Sequence, residues 1–258
     1  MAGVNAPDTS GLEPSGPTDD DLAIARALRH DFERLRLEKQ AAIEEVLTKV
    51  SVLRQEFVLL ERYNPIEHVS SRVKSPASLF RKAARHGIEP TPQSMREHIH
   101  DIAGVRVTCS FIADTYRVLE ALTTQDDVRV VTLKDYVTDP KPSGYRSLHA
   151  IVEIPVFLST GPVPVTVEVQ VRTIAMDFWA SLEHKIFYKY DGDVPEHLTS
   201  GLTAAASTSA ELDRQMEQLY AEIRGSRDAD DHGDDDTDVD AELLHWVWSS
   251  SRRRGLGG

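Results

Sequence analysis

The sequence predicts an α/β protein: a central mixed β-sheet with helices on its faces. Val163, Val165, Val167, Val169 and Val171 alternate with Pro164, Thr166, Glu168, Gln170 and Arg172, the period-two signature of a strand that buries one face. Apolar residues recur at helical spacing through 21–62, at Ile24, Leu28, Phe32 and Leu35 and then at Ile43, Val46, Leu47, Val50 and Leu53. Between these regions, strand-like and helix-like segments alternate across short turn-rich connections, as layered mixed folds require.

Residues 1–20 are rich in Pro, Gly, Ser and Thr with little to bury, which predicts a disordered lead. One or two amphipathic helices are expected over 21–62, with Asn64 and Pro65 breaking the pattern. A short helix over 76–86 should stop at Gly87, and Pro90 and Pro92 should enforce a turn. Strand 104–112, helix 114–122 and strand 128–133 follow, and 139–144 is a loop by composition. Strands 148–158 and 163–172 flank a turn at 159–162 and read as a hairpin. Helices are expected over 175–190 and 196–224, the second interrupted near Ser200 and Gly201. Gly225 should end the fold and open an acidic disordered tail over 225–258.

The 258 residues suffice for one sizeable core with helical appendages, and 40% hydrophobic content fits a globular chain. No apolar run is long enough for a membrane span and no secretory pattern opens the chain, so a cytoplasmic protein without a membrane partner is expected. Cys109, the only cysteine, excludes a disulfide framework and a thiolate metal cluster, and reads as a small core residue. The net charge of −13 is concentrated at the ends: nine unopposed acids lie in 228–242 and five more in 1–21. The body is therefore nearly neutral, and local clusters set the potential at any site.

One such cluster stands out. Arg72, Lys74, Arg81, Lys82 and Arg85 lie between His68 and Ile88 with no acid among them. Phosphate chains need several cations at fixed separation, with Arg adding bidentate bonding. Arg72 and Lys74 in an extended segment, and Lys82 and Arg85 on one helical face, could grip a polyphosphate from two directions. Ser75, Pro76 and Ser78 form a polar turn between the two groups. A solvated basic face is the bland alternative.

Phosphoryl transfer also calls for carboxylates to hold Mg2+ and for a group to accept the hydroxyl proton. Asp101, before strand 104–112, and Glu168, opposite the valines, answer that need if the fold brings them together. Gln170 and Arg172 share the face of Glu168. Tyr145, closing the loop that starts near Lys141, could stack on a purine or pack on the sheet rim. His149 shares one strand face with Ile151 and Glu153 and suits a phosphate donor or a satisfied sheet histidine. The pairs His30–Asp31 and His100–Asp101 lack the further ligands of a metal phosphohydrolase.

Taken together and in order, these segments resemble the RelA/SpoT-type (p)ppGpp synthetases, and specifically the small alarmone synthetases. The resemblance is carried by Pro65-Ile66-Glu67 leading to Arg72-Val73-Lys74 with Ser78 and Lys82, then Asp101-Ile102-Ala103-Gly104-Val105-Arg106. It continues through Asp135-Tyr136, Ser143-Gly144-Tyr145-Arg146-Ser147 with His149, Val167 to Thr173, and Phe178-Trp179-Ala180 with Glu183-His184. These run over about 63–190, half the chain.

The resemblance implies a nucleotidyltransferase-like sheet with added N- and C-terminal helices. It implies a Mg2+-dependent pyrophosphokinase that moves the β,γ-diphosphate of ATP to the 3'-OH of GTP or GDP, releasing AMP, without a hydrolase domain. Arg72, Lys74, Ser78, Lys82 and Arg85 would hold ATP. Asp101 and Glu168 would bind Mg2+, with Glu168 also activating the 3'-OH. Tyr145 would stack on guanine, and Lys141, His149, Gln170 and Arg106 would orient the acceptor. A catalytic domain over 63–190, C-terminal helices over 191–224 and a homotetramer are implied too.

His68, Ser70 and Asp177 depart from a Phe, Thr and Asn pattern with which one subgroup binds an activating alarmone. Such activation is not expected here, and Asp177 should repel a phosphate at close range. The rival readings are an enzyme of the same fold acting on adenine nucleotides or a tRNA 3' end, and a non-catalytic module for nucleotides or single-stranded RNA. The paired carboxylates argue against the module.

Overall fold

The structure, a computed structural model, describes residues 18–187 and 195–230. The lead and the acidic tail expected from composition fall outside the described residues except at their inner ends. Eleven elements follow one another among the described residues: α1 (Asp19–Glu61), β1 (Ile66–Val73), α2 (Pro76–His86), α3 (Pro92–His98), β2 (Ala103–Cys109), α4 (Ile112–Thr123), β3 (Arg129–Asp135), β4 (Leu148–Leu158), β5 (Gly161–Thr173), α5 (Ile174–Phe187) and α6 (Glu196–Asp230). The chain divides into two units at Ala210, within α6. The first holds the sheet, and the second begins at Glu211 with the remainder of α6.

The five strands form one mixed sheet in the order β1-β2-β5-β4-β3. β2 and β5 run parallel at its centre, and the other neighbours pair antiparallel. The valine alternation works as its period demands. Val167, Val169 and Val171 of β5 and Val105 and Val107 of β2 are buried against Ala42, Ile43, Val46 and Val50 of α1 and Val118, Leu119 and Leu122 of α4. Each fully buried valine contributes about 1.5 kcal/mol or more. A one-residue slip of β5 would trade this row for Glu168 and Gln170, so the register is strongly set. Cys109 is a buried core residue whose thiol is pushed up by burial first and by Asp114 and Glu67 second.

α1 is one helix of 43 residues, where one or two were expected. It closes at Arg62, whose φ of 52° supplies the left-handed turn that glycine usually provides. Asn64 then starts β1: its side chain donates to the Ile66 carbonyl at 2.8 Å and accepts the Ile66 N–H at 3.1 Å. α2 has the expected bounds, with Ser75 as N-cap and Gly87 (φ 65°) as left-handed C-cap.

The structure differs from the expected elements at four places, the first being β1, which is a full strand paired with β2 where only an extended segment around Arg72 and Lys74 is expected. α3 was missed because Pro90 and Pro92 read as a turn, whereas Thr91 caps a short helix with Pro92 at its first position, where proline's missing N–H is harmless. Ser200 and Gly201 do not interrupt α6, since the Ser200 hydroxyl bonds the Glu196 carbonyl at 2.8 Å within the continuing helix. Gly225 does not end the fold as expected, because α6 runs on to Asp230.

Lys39, 1% exposed, lies where α1 crosses β5 and donates from Nζ to the Thr166 carbonyl at 3.0 Å and hydroxyl at 2.9 Å. Burial foremost, and then Arg96, bring its pKa down to about 8, against the pull of Glu38 and Glu153. Between about pH 8 and the usual lysine value near 10.5 the unfolded chain holds a proton that the folded chain has lost, so stability rises with pH in that window. Relative to Lys39→Met, the parent should gain up to about 3 kcal/mol between pH 7 and pH 10, read from urea unfolding at each pH. A constant difference would place a normally titrating ammonium at Lys39.

Candidate active site

The sheet face opposite α1 and α4 carries the polar partners of the buried valines. Strand register sets them in rows. Ser70, Arg106, Gln170, His149 and Lys134 are successive partners across all five strands, and Arg72, Gly104, Glu168, Ile151 and Thr132 form the next row. Arg72 and Glu168 thus flank Gly104, where a Cβ would make ordinary van der Waals contact, 3.9 Å, with the backbone oxygens of both. The absent side chain leaves the floor between a guanidinium and a carboxylate open.

Two clefts lie along this face. The smaller, about 110 Å³, is bounded by Ser70, Arg72, Asp101, Gly104, Arg106, Glu168 and Gln170. The larger, about 460 Å³, includes Lys141, Tyr145, His149 and Arg172, with α5 residues from Ala180 to Lys185 on its rim. Both share Arg72, Arg106 and Gln170, so the clefts adjoin with Glu168 beside the junction.

Asp101, distant from Glu168 in sequence, is brought close to it on the face of the smaller cleft. Its Oδ2 accepts Lys74 Nζ and Lys82 Nζ, each at 2.7 Å. Burial opposes its ionisation, but the hydrogen bonds and charges of the two lysines outweigh that and hold its pKa below the usual range. Glu168 behaves alike: burial raises its pKa, His149 and Gln170 more than compensate, and the nearby Asp101 charge works against them. Glu168 Oε1 lies 3.4 Å from His149 Nδ1, and Oε2 accepts Gln170 Nε2 at 3.0 Å.

The Lys141–Tyr145 loop is a tight turn closed by Gly144 N–H to the Lys141 carbonyl at 2.7 Å and Lys141 N–H to the Tyr145 carbonyl at 3.1 Å. Gly144 has φ 86°, which an L side chain adopts only under strain. Lys141 Nζ sits 4.7 Å from the ring centre of Tyr136 and 4.9 Å from that of Tyr145. Tyr145 is largely buried beside Trp179, with its hydroxyl 3.1 Å from His149 Nε2.

The structure therefore gathers Arg72, Asp101, Arg106, Lys141, Tyr145, His149, Glu168 and Gln170 around two adjoining clefts, whereas Lys74 and Lys82 line neither and join the site through Asp101. Ser78 and Arg85 line neither cleft. Ser78 is taken up by the N-terminal turn of α2, with its N–H on Ser75 Oγ and Arg81 on its hydroxyl. Lys74 and Lys82 meet Asp101 rather than standing as free cations. Sequence alone gives Arg172 a place on the Glu168 face but no role, and gives Asp177 as a charge that repels phosphate. Arg172 Nε in fact donates to Asp177 Oδ1 at 2.8 Å, with Nη2 at 2.5 Å, and Arg106 Nη1 lies 3.8 Å away. The alternation of Arg172 with Glu168 and Gln170, and an acid five residues later on the first turn of the next helix, were the signals available.

No cluster of three metal-binding side chains occurs among the described residues. Mg2+ commonly takes only one or two carboxylates, with substrate phosphates and water completing its shell. Asp101 Oδ1 is buried without a hydrogen-bond partner, beside a second ionised carboxylate, so the residues fit a divalent cation. Among the described residues no helix is long and apolar enough to cross a membrane.

Residues 71–193 match the region found in RelA / SpoT proteins. The chain is 48% identical over 204 residues to GTP pyrophosphokinase YwaC of Bacillus subtilis, spanning 79% of this chain and 96% of that protein. It is 37% identical over 198 residues to GTP pyrophosphokinase YjbM of the same organism, spanning 77% and 92%. Among solved structures, small alarmone synthetase 2 from Bacillus subtilis superposes with a TM-score of 0.68 at 48% identity, over 74% of this chain and 99% of that one. Small alarmone synthetase 1 from the same organism, bound to its product pppGpp, superposes with a TM-score of 0.69 at 38% identity, over 74% and 97%. On an ordered motif set, a shared sheet and near full-length similarity to such enzymes, this chain belongs to the small alarmone synthetases of the RelA/SpoT family.

Proposed function

We propose that this protein transfers the β,γ-diphosphate of ATP to the 3'-OH of GTP or GDP, making (p)ppGpp and releasing AMP. One observation carries the reading: two adjoining clefts share Arg72, Arg106 and Gln170, and the smaller holds two ionised carboxylates, Glu168 and Asp101. A transfer between two nucleotides needs two such pockets, because in-line attack gains most from holding both partners in contact.

In this reading the smaller cleft takes the ATP phosphates. Arg72 binds them directly; Lys74 and Lys82 turn from Asp101 toward them, with Ser78 and Arg85 on α2 guiding the chain's approach. Asp101 and Glu168 would hold a divalent ion, Mg2+ in this reading, which would supply neutralisation of charge on the transferred phosphate oxygens. Glu168 also accepts the 3'-OH proton on a carboxylate oxygen as the oxygen attacks the β-phosphorus. Tyr145 stacks on guanine once Lys141 leaves its ring face, and Lys141, His149, Gln170 and Arg106 orient the acceptor and its phosphates. Ile174, Phe178, Leu182 and Ile186, exposed at four-residue intervals on α5, support an assembly of several copies of the chain.

The test is incubation of purified protein with γ-labelled ATP, Mg2+ and, separately, GTP, GDP, GMP, an adenine nucleotide, tRNA or no acceptor. Label on a guanine nucleotide with stoichiometric AMP is expected. Label on adenine nucleotide or tRNA alone would move the acceptor, and no transfer at all would leave a binding module.

A further inference from the structure

We infer that Asp177 is a positioning residue for the acceptor: it holds Arg172, and through Arg172 the Tyr145 hydroxyl, in the geometry that the larger cleft needs. The inference rests on the acceptor reading of that cleft and names a residue that reading does not use.

Arg172, the penultimate residue of β5, has its side chain only 3% exposed. A guanidinium cannot shed its charge, so at that burial it needs a carboxylate or it must turn toward water. Asp177, on the first turn of α5, is the carboxylate it meets: Nε donates to Oδ1, and Nη2 lies in ion-pair contact with the same oxygen without hydrogen-bond geometry. Arg106 lies nearby, its charge disfavoured first by burial and then by Arg172, and Asp177 works in the opposite direction.

From Arg172 the contacts continue in one direction. Nη1 reaches the Tyr145 hydroxyl at 3.5 Å, that hydroxyl meets His149 Nε2 at 3.1 Å, and His149 Nδ1 faces Glu168 at 3.4 Å. A line of polar contacts thus joins Asp177 to Glu168 through Arg172, Tyr145 and His149, three residues that line the larger cleft. Arg172 also lines that cleft, whereas Asp177 does not. With Asp177 removed, water for the uncompensated guanidinium lies in the cleft itself. Arg172 would swing into the space meant for the acceptor and release the tyrosine hydroxyl. The cost falls on acceptor binding, while Asp101 and the lysines on it are untouched.

The experiment is steady-state transfer kinetics of the full chain, with the parent run first. Asp177→Ala should raise the KM for GTP and GDP roughly tenfold, the scale of one lost charge-assisted hydrogen bond, with kcat at saturating acceptor and the KM for ATP changed by no more than about threefold. Asp177→Asn, which keeps an oxygen for Arg172 but not the charge, should fall between, and it carries the test if the alanine variant does not fold. On a Tyr145→Phe background the further rise on adding Asp177→Ala should be much smaller than in the parent. An unchanged acceptor KM, a fully additive double variant, or an equal worsening of both substrates together with a lower melting temperature would each overturn the positioning role. A parent that transfers to no guanine nucleotide would instead sink the function proposed above, and this role with it.

Discussion

Glu168→Gln should lower diphosphate transfer by roughly a thousandfold or more in kcat while the protein remains folded. The amide preserves shape and can still bond Gln170 and His149, but it neither accepts a proton at neutral pH nor carries charge to a divalent cation. Both proposed duties end together, which is why the loss should exceed that of a single general base. Stability should change little. The folded pKa of Glu168 is lowered, so its carboxylate contributes stability that is present above the unfolded value near 4.5 and lost as pH falls through the lower folded value. At neutral pH the variant forfeits that contribution but is relieved of the repulsion from Asp101. Parent and variant compared by circular dichroism and by labelled-ATP transfer decide the matter. A variant retaining a tenth or more of the parent rate would remove Glu168 from the role of base.

Gly144→Ala should have the largest effect on stability for its size, about 2–4 kcal/mol in urea unfolding, and should raise the acceptor KM as well. Two independent costs meet there. The backbone φ of 86° strains any L side chain, and the added Cβ would sit 2.7 Å from the Ala206 Cβ on α6. That contact involves short, stiff groups, so the loop or the helix must move. The loop is the one that places Lys141 and Tyr145, and α6 also receives the Trp179 Nε1–H on its Leu202 carbonyl at 2.9 Å. Pairing Gly144→Ala with Ala206→Gly should recover the clash but not the φ strain. Full recovery, or none, would show that one of the two costs is absent.

Legibility followed the length scale of the signal. The β5 valines and the capped helix α2 could be read because their cause is local: alternation, and a serine and a glycine at the ends of one helix. Short α3 was hidden because proline reads equally well as a turn former and as a first helical residue, and Thr91 had to cap something to decide between them. The unbroken course of α6 through Ser200 and Gly201 shows helical context overriding weak local breakers.

Residue chemistry and spacing alone were enough to establish four of the five strands, the apolar face of β5, the basic stretch, and the carboxylates and aromatic residue that phosphoryl transfer would use. Folding decided which of these meet. Asp101 reaches Glu168 only because β2 runs parallel to β5 and sets Gly104 beside Glu168. Lys74 and Lys82 close on Asp101, and Asp177 turns from an expected repulsive charge into the partner of a buried arginine. Side-chain periodicity is a property of one strand or helix and can be read along the chain. Charge pairing depends on distance between elements and on burial, and both exist only after the sheet has assembled.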